Sequence, residues 1–290
     1  MTSSNVGDGQ RTLLAGGYTN EVWKVRRGRS TLIEKRYSGA PPEPNPMYPN
    51  LPDHEATVLA HLVGTGIAPE LRSYTPAVPG ESGAVVVYDY VAGTQWVRGV
   101  ADVARLLHRV HALEPPPLRS LHQDAASALA RAGEVIADVP ADDVPLGAAR
   151  RRLLELRPAM PAPEPVRRPS LVHTDCGPGN LVRSRDGLVL IDWQCPGLGD
   201  PVEDVACFLS PAMMVLYAAP PHSRVVRERF LDAYPDSVVV ERYRAVGSAW
   251  HHRIAAYCLW RSHRLRTSLP DVSARYARAL DAELELLSAW

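Results

Sequence analysis

The sequence predicts an α+β protein of two lobes, a small strand-rich lobe over residues 1–93 and a larger helical lobe over 94–290, enclosing a cleft. Three observations predict it. In the first third, short apolar runs are bounded by glycine, proline and polar turn residues, which is the pattern of strands. From Val100 onward apolar residues mostly recur at helical spacing. Within that second part, two short apolar runs end in reactive side chains: one leads into His173-Thr-Asp175 and the other stops at Asp192.

Taken in order, residues 11–37 read as a hairpin. Gly16-Gly17 turns the chain, Val22–Val25 is strand, Arg26–Arg29 is a polar turn and Thr31–Tyr37 is strand. The Pro-rich stretch from Ala40 to Pro52 is irregular. A helix begins near Asp53 and runs through Glu55, Leu59 and Leu62 to the breakers Gly64 and Gly66. Val85–Val91 is a buried strand ending at Gly93. Val100–Leu113 is a helix stopped by Pro115-Pro-Pro117, and Gln123–Ile136 is a second. Asp138–Pro169 is a Pro- and Arg-rich connector around a helix near Leu146–Leu156. Beyond Asp204 the pattern is helical to the end, and no internal repeat interrupts it.

Composition narrows the function classes. Hydrophobic residues make up 46% and charged residues 22%, so a sizeable core is expected. Lys and Arg number 32, as do Asp and Glu, for a net charge of +0; this balance speaks against a nucleic-acid or membrane-surface protein. The polar N-terminus lacks the basic and apolar regions of a signal peptide, and no run of about 20 apolar residues provides a membrane span. Cys176, Cys195, Cys207 and Cys258 are widely spaced and form no Cys-x-x-Cys site, so they are expected as free thiols in a cytoplasmic protein.

The chemistry concentrates in Leu171-Val-His-Thr-Asp-Cys-Gly-Pro-Gly-Asn180 and Leu188-Val-Leu-Ile-Asp-Trp193. Phosphoryl transfer from a nucleotide needs a carboxylate near the acceptor hydroxyl, and oxygen ligands that hold metal on the phosphates. Asp175 is the candidate general base or hydroxyl-orienting group. Asn180, after four intervening residues, and Asp192 are the candidate Mg²⁺ ligands, since that ion takes oxygen donors and few protein groups. The order histidine, aspartate, asparagine is that of kinase catalytic loops.

With Gly197-Leu-Gly-Asp-Pro-Val-Glu-Asp-Val-Ala206 added, the chain resembles the aminoglycoside phosphotransferase and choline kinase family, a small-molecule branch of the protein-kinase-like fold. The resemblance runs from about Gly16 to Phe208. It implies that Lys35, at the end of Thr31-Leu-Ile-Glu-Lys35, contacts nucleotide phosphates and pairs with a helix glutamate, for which Glu55 is the natural partner. Arg36 should face the opposite side of the strand. Gly16-Gly-Tyr-Thr-Asn20 resembles the family's phosphate-covering turn, with Gly16 and Gly17 giving backbone access and Thr19 and Asn20 adding donors. Asp89 to Val91 falls where the interlobe hinge would read adenine through its backbone. His173, Asp200 and Asp204 are implied to be structural supports, with Asp204 bracing the catalytic loop through backbone N–H groups.

The resemblance implies ATP and Mg²⁺ as cofactors and the hydroxyl of a small molecule as acceptor. The motifs look closest to choline, ethanolamine or thiamine kinases, with an aminoglycoside or other antibiotic phosphotransferase as the alternative. Gln194-Cys195 departs from the Glu-Tyr pair frequent after Ile-Asp-Trp, and Cys176 replaces a larger apolar residue. Trp250, Ile254 and Tyr257 share one helical face with Trp260 beyond, either a cage for an ammonium group or core packing. Two readings from other classes stay open: a catalytically silent pseudokinase that only binds, and a phosphohydrolase, for which no aspartyl-nucleophile motif is present.

Overall fold

The computed structural model describes residues 10–14, 20–37, 45–78, 80, 82–159 and 164–290. Gly16, Gly17 and Thr19, expected to cover phosphates, lie outside the described residues.

The N-terminal part is built on an antiparallel sheet of β1 (Arg11–Leu13), β2 (Asn20–Arg27), β3 (Ser30–Tyr37), β4 (Leu71–Thr75) and β5 (Val85–Asp89), in the order β1-β2-β3-β5-β4. β3 is the middle strand. Side chains alternate along it, so Ile33, Lys35 and Tyr37 point inward together while Arg36 is exposed. A lysine is thereby carried into the interior by register alone. Helix α1 (Pro52–His61) packs over β4 and β5. Pro52 suits its first turn, where the missing N–H costs nothing, and Asp53 and Glu55 place negative charge at its N-terminus. Its inner face buries Glu55, Ala56, Val58 and Leu59.

The strand expected to reach Val91 stops at Asp89, and the chain passes through Val91 into the three-residue β6 (Gly93–Gln95). The rest is mainly helical: α2 (Val100–His111), α3 (Ala125–Ala137), α4 (Gly147–Glu155), α5 (Val202–Leu209), α6 (Pro211–Leu216), α7 (Arg224–Ala233), α8 (Ser237–Leu265) and α9 (Pro270–Ser288). α3 starts at Ala125 because Asp124 caps it, accepting the Ser127 N–H at 2.7 Å. Between α4 and α5 lie β7 (Ser170–Val172), a 3₁₀ turn at Pro178–Asn180, β8 (Leu181–Ser184), β9 (Gly187–Leu190) and β10 (Gly197–Gly199). β6, β8 and β9 form one small sheet and β7 pairs with β10. The apolar runs before His173 and Asp192 were expected as short strands and are β7 and β9, whereas their partners β6, β8 and β10 were not expected, because strands of three or four residues show no usable periodicity. The two sheets place the end of β7 and the end of β9 side by side.

One buried cluster runs from Ile33, Val58 and Val86 through α2 and α5 to Trp250, and a second joins α3, α4, α8 and α9 around Leu153, Tyr257 and Trp260. Among the described residues no helix is long and apolar enough to cross a membrane. All four cysteines are buried and free.

Candidate active site

The catalytic segments are set by hydrogen bonds from behind. Asp204, in the first turn of α5, is fully buried, and its carboxylate accepts the backbone N–H of His173 at 2.8 Å and of Thr174 at 2.7 Å. It also accepts from His111 Nε2 at 3.0 Å, and His111 Nδ1 in turn faces the Tyr234 hydroxyl at 2.6 Å. Burial alone would raise the Asp204 pKa, but the hydrogen bond and charge of His111 hold it below its ordinary value. This clamp maintains Thr174 at a left-handed φ of 72°. Thr174 Oγ1 fixes the far side of the turn by donating to the Cys195 carbonyl at 3.0 Å.

His173 ties the two segments together. Its Nδ1 accepts the Asp175 N–H at 3.2 Å, which leaves Nε2–H to donate to the Ile191 carbonyl at 3.0 Å, one residue before Asp192. The ring packs edge-on against Trp193, and burial lowers its pKa, so it stays neutral. Asp192 itself has a left-handed φ of 64°, which turns the chain sharply at the end of the apolar run.

Asn180 Nδ2 donates to the Asp175 carbonyl at 2.7 Å and to its carboxylate at 3.2 Å. The amide nitrogen is thus committed to the loop and Asn180 Oδ1 remains as an oxygen donor. Asp175 is half-buried, and burial together with the negative charge of Asp192 pushes its pKa up to about 8. The carboxyl therefore sits in the range where it can take up a proton near neutrality. From the sheet, Lys35 Nζ reaches Asp192 Oδ1 at 2.5 Å and Glu55 Oε2 at 3.0 Å. Burial opposes the ammonium, but Asp192 and Glu55 hold its pKa well above the ordinary value. Tyr37 donates its hydroxyl to Glu55, fixing the glutamate from the same face of β3.

The structure thus brings Lys35, Glu55, Asp175, Asn180 and Asp192 together. Asn20 joins them at the cleft: its Nδ2 donates to Asn50 at 2.8 Å and to Gln194 at 3.1 Å, and Asn50 returns a bond at 2.7 Å. Asp200 lies behind β10, capped on the Val202 N–H at 3.0 Å and paired with Arg242 at 2.5 Å. Asp89 is held by both nitrogens of the Arg72 fork, and neither it nor Val91 borders the cavity described next.

A cavity of about 240 Å³ opens from Lys35, Asp175 and Asp192 toward α6, α8 and α9. Tyr48, Tyr217, Tyr257 and Tyr276 form much of its wall. A Cβ on Gly179 would lie 2.0 Å from the Tyr217 ring, and one on Gly177 2.6 Å, so the two loop glycines are what lets Tyr217 lie against the catalytic loop. Of the three aromatic residues expected at the acceptor, only Tyr257 borders the cavity; its hydroxyl accepts from Asn45 Nδ2 at 2.8 Å. Trp260 stacks behind it, and Trp250 is a fully buried core residue. The helical stripe is packing over most of its length, as apolar stripes at that spacing usually are. Sequence reasoning did not find Tyr37, His111, Tyr48, Tyr217 or Tyr276, because nothing in their local sequence signals which surface they meet.

No group of three or more His, Cys, Asp or Glu side chains that could hold a metal ion is found among the described residues, and the two oxygen donors expected from the sequence, Asn180 and Asp192, both stand near Asp175. One carboxylate and one amide oxygen suit Mg²⁺, which takes its remaining ligands from phosphates and water.

The family model for the phosphotransferase enzyme family matches residues 10–246. The chain belongs to that family. A search of curated proteins gives no match. Among solved structures, a choline/ethanolamine kinase family protein from Mesorhizobium loti aligns at 19% identity and a TM-score of 0.60, over 98% of this chain and 95% of that one. An ethanolamine kinase from Plasmodium vivax aligns at 13% identity and 0.60, over 95% and 81%. A spectinomycin phosphotransferase solved with ADP and spectinomycin aligns at 13% and 0.60, over 94% and 92%. At these identities the likeness is one of fold. It is the small-molecule branch of the protein-kinase-like fold, with a β-sheet N-terminal region and a helical C-terminal region.

Proposed function

We propose that this phosphotransferase uses ATP and Mg²⁺ to phosphorylate the hydroxyl of a small molecule, in the cytoplasm, with residues 1–93 serving the nucleotide and 94–290 supplying the catalytic loop and acceptor site. The observation that carries the reading is the position of Lys35, whose ammonium touches Glu55 and Asp192 while Asp192 lies within the field of Asp175. Lys35 would pair with phosphate oxygens, with Glu55 and Tyr37 keeping it from swinging away. Asn180 and Asp192 would hold Mg²⁺, which supplies Lewis-acid neutralisation of the developing phosphate charge. Asp175 orients the acceptor hydroxyl and takes its proton as the oxygen attacks phosphorus. The cavity beyond Asp175 is where the acceptor sits, and its tyrosine walls exclude water.

A pseudokinase reading has little support, since the lysine, its glutamate, the base and both metal ligands stand in one cluster. A choline- or ethanolamine-kinase-like acceptor draws on the sequence motifs, and an antibiotic acceptor draws on the spectinomycin enzyme's fold. The test is a thermal shift with a nonhydrolysable ATP analogue. Mg²⁺ should deepen the shift in the wild type and leave Asp192→Ala unchanged, and only the wild type should consume ATP. Wild-type turnover that survives EDTA would remove the metal-assisted kinase reading.

A further inference from the structure

The far end of the cavity carries the opposite charge from the one an amine acceptor needs. Arg261, on α8, and Arg275, on α9, both border it, and neither forms an ion pair among the described residues. Among the described residues the only carboxylates on the cavity wall are Asp175 and Asp192, and both belong to the reacting end. Asp271, in the first turn of α9, is exposed and is not part of the wall.

Arg261 is built in. It lies four residues beyond Tyr257, about 6 Å along α8 from the tyrosine that borders the same space. Its guanidinium lies 5.9 Å from the Trp260 ring centroid and 5.6 Å from that of Tyr276. Its Nε is buried with no hydrogen-bond partner. A buried donor without an acceptor is costly, and a planar fork held between rings is preorganised for a planar anion. Tyr276 lines the same cavity as Asp175 and Arg261.

We propose that the acceptor is an alcohol bearing a carboxylate, its hydroxyl at Asp175 and its carboxylate at Arg261, with Arg275 at the mouth. This rests on the phosphotransferase reading above. The acceptor oxygen bonds to the γ-phosphorus, the bond from that phosphorus to the β–γ bridging oxygen breaks, and ADP leaves with the electron pair. The hydroxyl proton passes to Asp175, and the product is a phosphate monoester that keeps its carboxylate. A choline-like ammonium or a polycationic antibiotic would meet two like charges at this end, so this proposal departs from the amine expected from the motifs.

The test uses one flat skeleton in three forms: 4-(hydroxymethyl)benzoate, 4-(hydroxymethyl)benzamide and 4-(aminomethyl)benzyl alcohol. 4-Hydroxybutyrate, its amide, choline and ethanolamine extend the series. Acceptor-dependent ADP release is measured with Mg²⁺ATP, and binding is followed by thermal shift in the presence of the nonhydrolysable analogue. The carboxylates should exceed their amides and the amines by at least tenfold in kcat/KM. Arg261→Gln should bring the carboxylate-to-amide ratio close to one with the ATP KM unchanged. Arg275→Gln, at an exposed site that tolerates substitution, should lower the ratio in part. Preference for an amine, or an unchanged ratio in both variants, overturns the proposal. If no carboxylate binds or reacts while the Mg²⁺-dependent nucleotide shift is intact, the acceptor assignment fails and the kinase reading stands. If that shift is also missing, both fail.

Discussion

Replacing Asp204 by asparagine tests how the catalytic loop is held. The carboxylate accepts from the His173 N–H, the Thr174 N–H and His111 Nε2, at 2.8, 2.7 and 3.0 Å, and all four residues are buried. An asparagine has one acceptor oxygen. If that oxygen takes the place shared by His173 and His111, the new NH₂ faces the Thr174 N–H, donor against donor. A charge-assisted hydrogen bond contributes about 1.5–3 kcal/mol, and a buried donor left unpaired costs about 1–3 kcal/mol. Losing one bond outright and weakening two others should destabilise the fold by about 3–5 kcal/mol. At roughly 3 kcal/mol per molar urea for a chain of this size, the unfolding midpoint falls by about 1 M or more. Thr174, released from its left-handed conformation, should let Asp175 drift, and ATP turnover should drop by at least ~100-fold. Equilibrium urea unfolding followed by tryptophan fluorescence measures the first effect, and ADP release the second. A midpoint within about 0.2 M of wild type, with turnover preserved, refutes the clamp.

Asp175→Asn should leave the nucleotide thermal shift intact while cutting acceptor-dependent turnover by at least ~100-fold; near-normal turnover takes Asp175 out of the mechanism. Lys35→Met removes the cation that bridges Glu55 and Asp192, and should raise the ATP KM, lower kcat, or both; unchanged nucleotide kinetics would mean that Lys35 only balances buried charge. Gly179→Ala should force Tyr217 off the catalytic loop and raise the acceptor KM more than the ATP KM, and equal changes in both would count against Tyr217 as an acceptor wall. His252 is fully buried, donates to the Leu153 carbonyl at 3.0 Å, and has its pKa lowered from 6.5 to about 4 by burial. Its folded form prefers to be neutral, so its contribution to stability is full above pH 6.5 and is lost as pH falls toward 4, by at most about 3 kcal/mol. His252→Gln should flatten the stability–pH curve across that window; an unchanged slope assigns acid sensitivity elsewhere.

The reacting end was legible in the sequence because its side chains sit at the ends of apolar runs. Asp175 follows β7, Asp192 follows β9, and Lys35 is placed by the alternation of β3. The acceptor end was not. Its wall is drawn from Tyr48 in the Pro-rich segment, Tyr217 after α6, Arg261 in α8 and Arg275 in α9. No local pattern states that these four meet, and α8 is buried over most of its circumference, so its periodicity cannot say which face adjoins a cavity. Arg261 stands beside Trp260 in a stretch whose charges look balanced along the chain; only packing shows that, among the described residues, no acid accompanies it to its end of the cavity. The family match ends at 246, before both arginines.

Asn20, Asn50 and Gln194 join β2, the loop before α1 and the segment beyond Asp192 through side-chain amides alone. None of these groups titrates, and none carries a charge for salt to screen. A few residues away, Lys35 and Asp192 form a pair that answers directly to any charge brought near it. The cleft is therefore fastened twice, by a latch indifferent to its electrical surroundings and by one that a polyphosphate competes for. On the proposed phosphotransferase reading, arrival of the nucleotide would loosen the ionic fastening and redirect Lys35 while the amide latch keeps the two walls in register.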